Sequence, residues 1–426
     1  MSERIYRDSV HNIIRLKTDT DEGRLLVRLI DTAEFQRLRR IRQLGLAYFA
    51  YQAAEHSRFT HSLGALHLAT RILAKLDLSY DISDESKIAV KTAALLHDIG
   101  HGPFSHVIEP IFGFHHEDFT VEAVLSPDTE TGQTLRDFSE RLPGDVADII
   151  SGKFRPMALA QLVSSQLDVD RMDYLLRDSL MTGAKYGIFD LEWIIKSIEI
   201  NEEADHMYVS GNGVYAVEDY LQARYYMFRE VYFHRTLRSA ESVLRSLVRR
   251  AVYLFSNGPA IWFAKNTAFE KILNRERLSL KEHLELDDTD VIFHIKQWAS
   301  CDDPILSDLS KRFINRRLFK AFDLDMPEPD RKKFLDEARQ IVERAGFDTG
   351  YYFIEDQAGD APYYFYTRND AAPKELIYVE EGFSRARIRE ISEVSPAVRG
   401  LQKGYQIHRV CFPSELKDEI ARLYHK

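Results

Sequence analysis

The segment "SKIAVKTAALLHDIG" (residues 86–100) constrains the fold more than any other stretch of the chain. It is apolar nearly all round up to Leu96, so it reads as a buried central helix ending at Gly100. Its last turn then carries His97 and Asp98 into the interior. A buried carboxylate is costly unless a cation or hydrogen bonds compensate it. Any fold that buries this helix must therefore bring compensating groups to its C-terminal end, and one metal ion would serve both side chains. Gly100, Gly102 and Pro103 follow directly, residues that stop a helix and let the backbone turn.

The surrounding periodicity is also helical, from about residue 24 to residue 250. "LLVRLIDTAEFQRLRRIRQLG" (25–45) spaces apolar and charged residues at threes and fours and predicts one helix stopped by Gly45. "FTHSLGALHLATRILAKL" (59–76) puts Leu63, Leu66, Ile72, Leu73 and Leu76 on one stripe, with Thr60 as the N-cap. Residues 217–255 read as one long helix or two joined ones. After about residue 255 the signals weaken. Helical segments continue to about 345, and "YYFIED", "YYFYTR", "ELIYVEE" and "YQIHRVCF" then read as short strands separated by Gly, Pro, Asn and Asp. The expectation is a mainly α protein with a helical core over 1–255 and a helical and α+β region over 256–426, concerned with assembly or regulation.

With 426 residues, 45% of them hydrophobic, the chain can bury one large core or two ordinary ones. A formal charge of −10 argues against bulk electrostatic wrapping of nucleic acid. The two cysteines, Cys301 and Cys411, are too few and too far apart for a disulfide framework. The first residues hold no apolar leader segment and no later stretch approaches a membrane span, so a cytoplasmic protein is expected. Two basic clusters, "QRLRRIRQ" (36–43) and "RSLVRR" (245–250), are open to two readings: solvated helix faces and salt bridges, or binding of polyphosphate or another subunit.

A lone buried histidine is more often a satisfied core residue than a ligand; the His97–Asp98 doublet needs further donors from the ends of neighbouring helices. His61 in "SRFTH" is the upstream candidate. Downstream, "SSQLDVDRMDYLLRD" (164–178) offers Asp168, Asp170, Asp173 and Asp178. As a helix it sets Asp170, Tyr174, Arg177 and Asp178 on one face, a polar stripe that a core-facing helix does not need.

His61, then His97–Asp98, then Asp170 resembles the H…HD…D metal signature of the HD-domain phosphohydrolase superfamily. The strings "RLRRIRQLG", "SRFTHSLG", "LLHDIGHGPFSH", "FHHE" and "DVDRMDYLLRD" are similar, more narrowly, to its dNTP triphosphohydrolase branch, over roughly residues 4 to 250. The resemblance implies a divalent ion (Mg, Mn, Fe or Zn) held by His61, His97, Asp98 and Asp170, and release of deoxynucleoside and inorganic triphosphate after attack by water at the α-phosphorus. It implies His106 as general acid, with Glu109 three residues on, on one face if "SHVIEP" is helical, and His101 and His116 facing phosphate. Glu109 stands where the human member has aspartate. Arg58 and Arg171 match triphosphate contacts, Tyr174, Asp178 and Tyr232 sugar contacts, and Gln43 and Leu44 a wall excluding a 2′-hydroxyl. Arg4, Asp31, Gln36 and Arg39 match positions binding a GTP or dNTP activator, while Trp193 and Phe233 depart from the pattern. The family implies a homo-oligomer, dimer or tetramer. The competing readings are another HD phosphohydrolase acting on nucleotides or alarmones, and a nucleic-acid-binding regulator with a secondary HD site.

Overall fold

The computed structural model describes residues 2–258, 261–360, 376–381, 387–401 and 405–424, without the side chains of His106, Pro110, Phe112, Ala358, Asp360 and Tyr405. The chain is mainly α, with a helical core and a small α+β C-terminal part. A hairpin of β1 (Glu3–Asp8) and β2 (Asn12–Lys17) precedes α1 (Asp21–Ile30). The helix expected over 25–45 is broken. Thr32 takes an extended conformation, donates its hydroxyl to the Leu29 carbonyl at 2.7 Å, and accepts from Phe35 N–H to start α2 (Ala33–Arg37). A hydroxyl that both ends one helix and caps the next outweighs the continuous apolar period. Gly45 lies beyond the helices, at φ +51°.

α3 (Arg58–Leu76) starts at Ser57, one turn upstream of the expected N-cap; Thr60 instead donates to the Ser57 carbonyl. α4 (Asp84–Leu96) is capped by Ser83 and ends at His97, so the doublet sits in the turn after the helix. Next come α5 (His116–Leu125) and α6 (Val169–Thr182), the latter capped by Asp168. The 217–255 segment is two helices, α7 (Val214–Met227) and α8 (Arg235–Asn257), joined by a π-turn over Phe228–Tyr232. α9 (Asp288–Trp298) opens with a capping box between Asp287 and Asp290.

Two hydrophobic clusters form the interior. The first surrounds α3, α4, α6 and α7, with Leu66, Leu96, Leu175 and Tyr220 buried at its centre. The second surrounds α8 and α9, with Leu244, Trp298, Leu309 and Phe412. They interleave along the chain: Phe104, Val107 and Ile108, just after the HD doublet, belong to the second cluster, and Val379 and Val398 to the first. The strands are peripheral. β3 (Ile198–Asn201), β4 (His206–Val209), β7 (Tyr378–Glu380) and β8 (Ile388–Glu390) form one sheet, with β4 and β7 parallel. β5 (Lys320–Asp323), β9 (Tyr405–Phe412) and β6 (Ile354–Asp360) form another, antiparallel. The expected strand at 363–368 lies outside the described residues. Among the described residues no helix is long and apolar enough to cross a membrane.

α3 and α6 approach closely because Gly64 lacks a side chain. A Cβ there would stand 1.8 Å from Asp173 Oδ1 and 2.5 Å from a terminal guanidinium nitrogen of Arg177. Gly64→Ala is therefore expected to cost about 1–3 kcal/mol of stability, read by urea unfolding; an unchanged midpoint would contradict this helix contact.

Candidate metal centre and cleft

His61 lies on the first turn of α3, His97 and Asp98 in the turn that ends α4, and Asp170 on the first turn of α6. Three helix ends thus converge. His61 Nε2 stands 3.2 Å from His97 Nε2 and 3.0 Å from Asp170 Oδ1; His97 Nε2 is 3.6 Å from the same oxygen. Asp98 completes the group, its oxygens 3.8 Å from His61 Nε2 and 3.5 Å from His97 Nε2.

The tautomers decide what this arrangement can hold. His97 Nδ1 donates to the Ala94 carbonyl at 2.9 Å, and His61 Nδ1 to Asp173 Oδ2 at 2.8 Å. With both Nδ1 atoms acting as donors, each neutral ring presents its Nε2 lone pair to the other, beside two carboxylates. Ligands about 2.0–2.2 Å from one ion sit roughly 3–4 Å apart. Two imidazoles and two carboxylates at these separations fit a divalent cation. Without one, the group carries protons: burial opposes the charged form of His61, but its bonds to Asp170 and Asp173 prevail and raise it to about 10. Burial likewise opposes ionised Asp98, and Arg58 at 2.7 Å, with His97 and His101, holds that carboxyl well below its usual range.

Beneath His61 lies Asp173, wholly buried. It accepts from His61, from His11 Nε2 at 2.7 Å and from Arg177, which also reaches Asp8. Arg177, expected on the polar stripe facing the site, is directed to this far side. The stripe left facing the site is Asp170, Tyr174 and Asp178.

A cleft of about 700 Å³ opens over the centre, and it is lined by Gln43, Leu44, Arg58, His97, Asp98, His101, His116, Asp170, Arg171, Tyr174, Asp178 and Tyr232. They comprise the seven residues expected to contact substrate, three of the four expected metal ligands, and His101 and His116, gathered from six separate chain segments. Arg171 is held by Asp168, and Asp178 receives His56 Nε2 at 2.7 Å and Tyr232 Oη at 2.8 Å. The π-turn before α8 is what delivers Tyr232. Arg58 lines the cleft with its guanidinium engaged by Asp98 and by Ser105 Oγ. His101 and His116 stack at 3.7 Å, and each has Nδ1 3.3 Å from Glu109 Oε1. Burial and the neighbouring Arg58 push His101 down to about 4, so it is neutral at pH 7. His106 lies in a 3₁₀ turn, Ser105–Val107, and Glu109 opens a separate short helix, Glu109–Phe112, so "SHVIEP" is not one helix. The His106 side chain is outside the described ones.

Gly100 and Gly102 pack against protein rather than ligand. A Cβ on Gly100 would meet the His116 carbonyl at 2.2 Å, and one on Gly102 the Phe114 ring at 2.9 Å. The regulatory candidates lie outside the cleft in two pairs. Arg4 grips Asp31 through two bonds of 2.5 and 2.9 Å; Arg39 donates to Gln36 Oε1 at 2.8 Å and covers the Phe59 ring at 3.5 Å. Sequence reasoning missed His56, Ser105 and Arg224. Arg224 is a buried cation on α7, 5.5 Å from the Phe228 ring and electrostatically coupled to Tyr174. None stands out in the sequence: His56 lies between Glu55 and Ser57, Ser105 beside His106, and Arg224 between Gln222 and two tyrosines.

The HD-domain family model matches residues 58–178, which run from Arg58 to Asp178 and contain all four candidate ligands. The uncharacterized protein YwfO of Bacillus subtilis is 37% identical over 97% of this chain and 93% of its own. The deoxynucleoside triphosphate triphosphohydrolase SAMHD1 of Gallus gallus is 30% identical over 59% of this chain, which spans about half (46%) of that protein's length. A solved phosphohydrolase from Bacteroides thetaiotaomicron superposes with a TM-score of 0.78 at 29% identity, covering 96% of this chain and all of the other. The chain belongs to the HD-domain family of phosphohydrolases.

Removing the Asp173 charge leaves Arg177 and His61 partly uncompensated in the interior. Asp173→Asn is expected to destabilise the fold by about 3–5 kcal/mol in chemical denaturation. The raised His61 pKa gives the metal-free protein a pH signature. Its charged form contributes stability that is fully present below the unfolded pKa of 6.5 and lost as pH rises through about 10. Melting temperature in EDTA should therefore fall between pH 7 and 10, and a flat profile would contradict the charged His61.

Proposed function

We propose that the chain is a metal-dependent dNTP triphosphohydrolase, releasing deoxynucleoside and inorganic triphosphate. The observation that carries this reading is the single cleft in which a cation-holding donor set, two arginines and a sugar-sized polar and aromatic wall face one another. His61, His97, Asp98 and Asp170 would hold the divalent ion (Mg, Mn, Fe or Zn), which when bound supplies Lewis acidity to water and neutralises phosphate charge.

The chain's own residues account for the rest. Arg171, braced by Asp168, and Arg58 give the triphosphate cationic partners. Tyr174 and Tyr232 meet edge to face, 6.3 Å between centroids, and offer a sugar an aromatic surface. Asp178, fixed by His56 and Tyr232, keeps lone pairs for a 3′-hydroxyl. Gln43 and Leu44 close the opposite edge, where a 2′-hydroxyl would need room. His106, with Glu109 nearby in the chain, donates the proton to the leaving 5′-oxygen, while His101, held neutral by burial and Arg58, and His116 contact phosphate. The pairs Arg4–Asp31 and Gln36–Arg39 mark the place of a GTP or dNTP activator, on a homo-oligomer, dimer or tetramer.

Incubation with each dNTP and rNTP, with Mn²⁺ or Mg²⁺ and with or without GTP, tests this directly. Deoxynucleoside and triphosphate are expected; orthophosphate alone, or no turnover with any metal, would overturn the reading. Asp170→Ala should lower turnover about 100-fold or more, and full activity in that variant would refute the ligand assignment.

A further inference from the structure

The turn from Ile99 to Ser105, which joins the HD doublet to the histidine segment, is gripped from behind by residues remote in sequence. Arg37, wholly buried, donates to four main-chain carbonyls: Ile99 at 3.1 Å, His101 at 2.7 Å, Leu286 at 2.7 Å and His283 at 3.3 Å. His283 Nε2 donates to the Gly100 carbonyl at 2.6 Å. Asp288, on the first turn of α9 and 2% exposed, does something different. Its Oδ1 accepts from Phe104 N–H at 2.8 Å and its Oδ2 from Arg42 N–H at 3.0 Å.

Those two amides belong to two segments that both contribute residues to the cleft and pass side by side at Asp288. Arg42 precedes Gln43 and Leu44; Phe104 precedes Ser105, whose hydroxyl receives Arg58. Phe104 and Ser105 are both left-handed, at φ +49° and +42°, a conformation that non-glycine residues keep only where their surroundings hold it. Asp288 itself does not line the cleft.

We propose that Asp288 is a positioning residue of the active site, its carboxylate setting the spacing between the Gln43–Leu44 wall and the Phe104–Ser105 turn and so the aim of Arg58. The catalytic consequence rests on the triphosphohydrolase reading; the bridge itself does not. Asparagine can accept only one of the two N–H groups and turns an amide NH₂ toward the other. Burial pushes the Asp288 carboxyl up to about 6.

The test compares Asp288→Asn and Asp288→Ala with Asp303→Ala. Asp303 is likewise a buried carboxylate at a helix N-terminus, paired with Arg250 and absent from the cleft. With Mn²⁺ and dNTP, Asp288→Ala should lose about 10- to 100-fold in kcat/KM, with KM raised, and Asp288→Asn should fall between it and the parent. Asp303→Ala should lower thermal stability and leave KM unchanged. A loss of folded protein alone lowers kcat without moving KM, so an unchanged KM in Asp288→Ala overturns the proposal. Amide hydrogen exchange, read without substrate, should accelerate at Arg42 and Phe104 in Asp288→Asn but not in Asp303→Ala; unchanged exchange also overturns it. If the parent turns over no dNTP, the triphosphohydrolase reading falls, and the exchange result alone decides whether the bridge stands.

Discussion

Everything at the centre of this molecule depends on a carboxylate that never meets solvent. Asp173 receives His61, His11 and Arg177 together, so that one buried anion ties the N-terminal hairpin turn, α3 and α6 to one another. Such a charge is tolerated only when it is paired and hydrogen-bonded on every side. In return it fixes the His61 ring and leaves Nε2 pointing at His97. Gly64 makes the contact geometrically feasible, because only a residue without a side chain lets α6 bring Asp173 and Arg177 so near α3.

The cleft is built on this frame but is not the product of the helical core alone. Phe104, Val107 and Ile108 leave the first hydrophobic cluster straight after the doublet and enter the second. The turn between them is held by Arg37 from the N-terminal side and by His283 and Asp288 from the C-terminal side. The C-terminal part therefore supports the walls of the site from behind.

What the sequence makes legible follows from the reach of each interaction. The doublet announces itself because ionisable groups at the end of an apolar helix need an explanation, and the convergence of His61, His97, Asp98 and Asp170 follows from spacing and resemblance. Asp173 is harder to single out: it is one of four carboxylates on one segment, and only the packing of α3 shows which one faces His61. Arg37 and Asp288 are illegible for another reason. Each looks like an ordinary charge near a helix end, and their partners lie between 62 and 249 residues away. The break at Thr32 was hidden because a side-chain hydroxyl, not the hydrophobic period, decides it. Gly100 and Gly102 read in the sequence as a helix stop and a turn; their missing side chains also make room for α5 and Phe114.

The central claim is that this frame presents the α-phosphorus of a dNTP to water. Single-turnover hydrolysis in H₂¹⁸O, with both products resolved by mass spectrometry, tests it most directly. One ¹⁸O in the triphosphate and none in the deoxynucleoside is the predicted result. Label in orthophosphate or diphosphate, or in the 5′-hydroxyl of the deoxynucleoside, would contradict it.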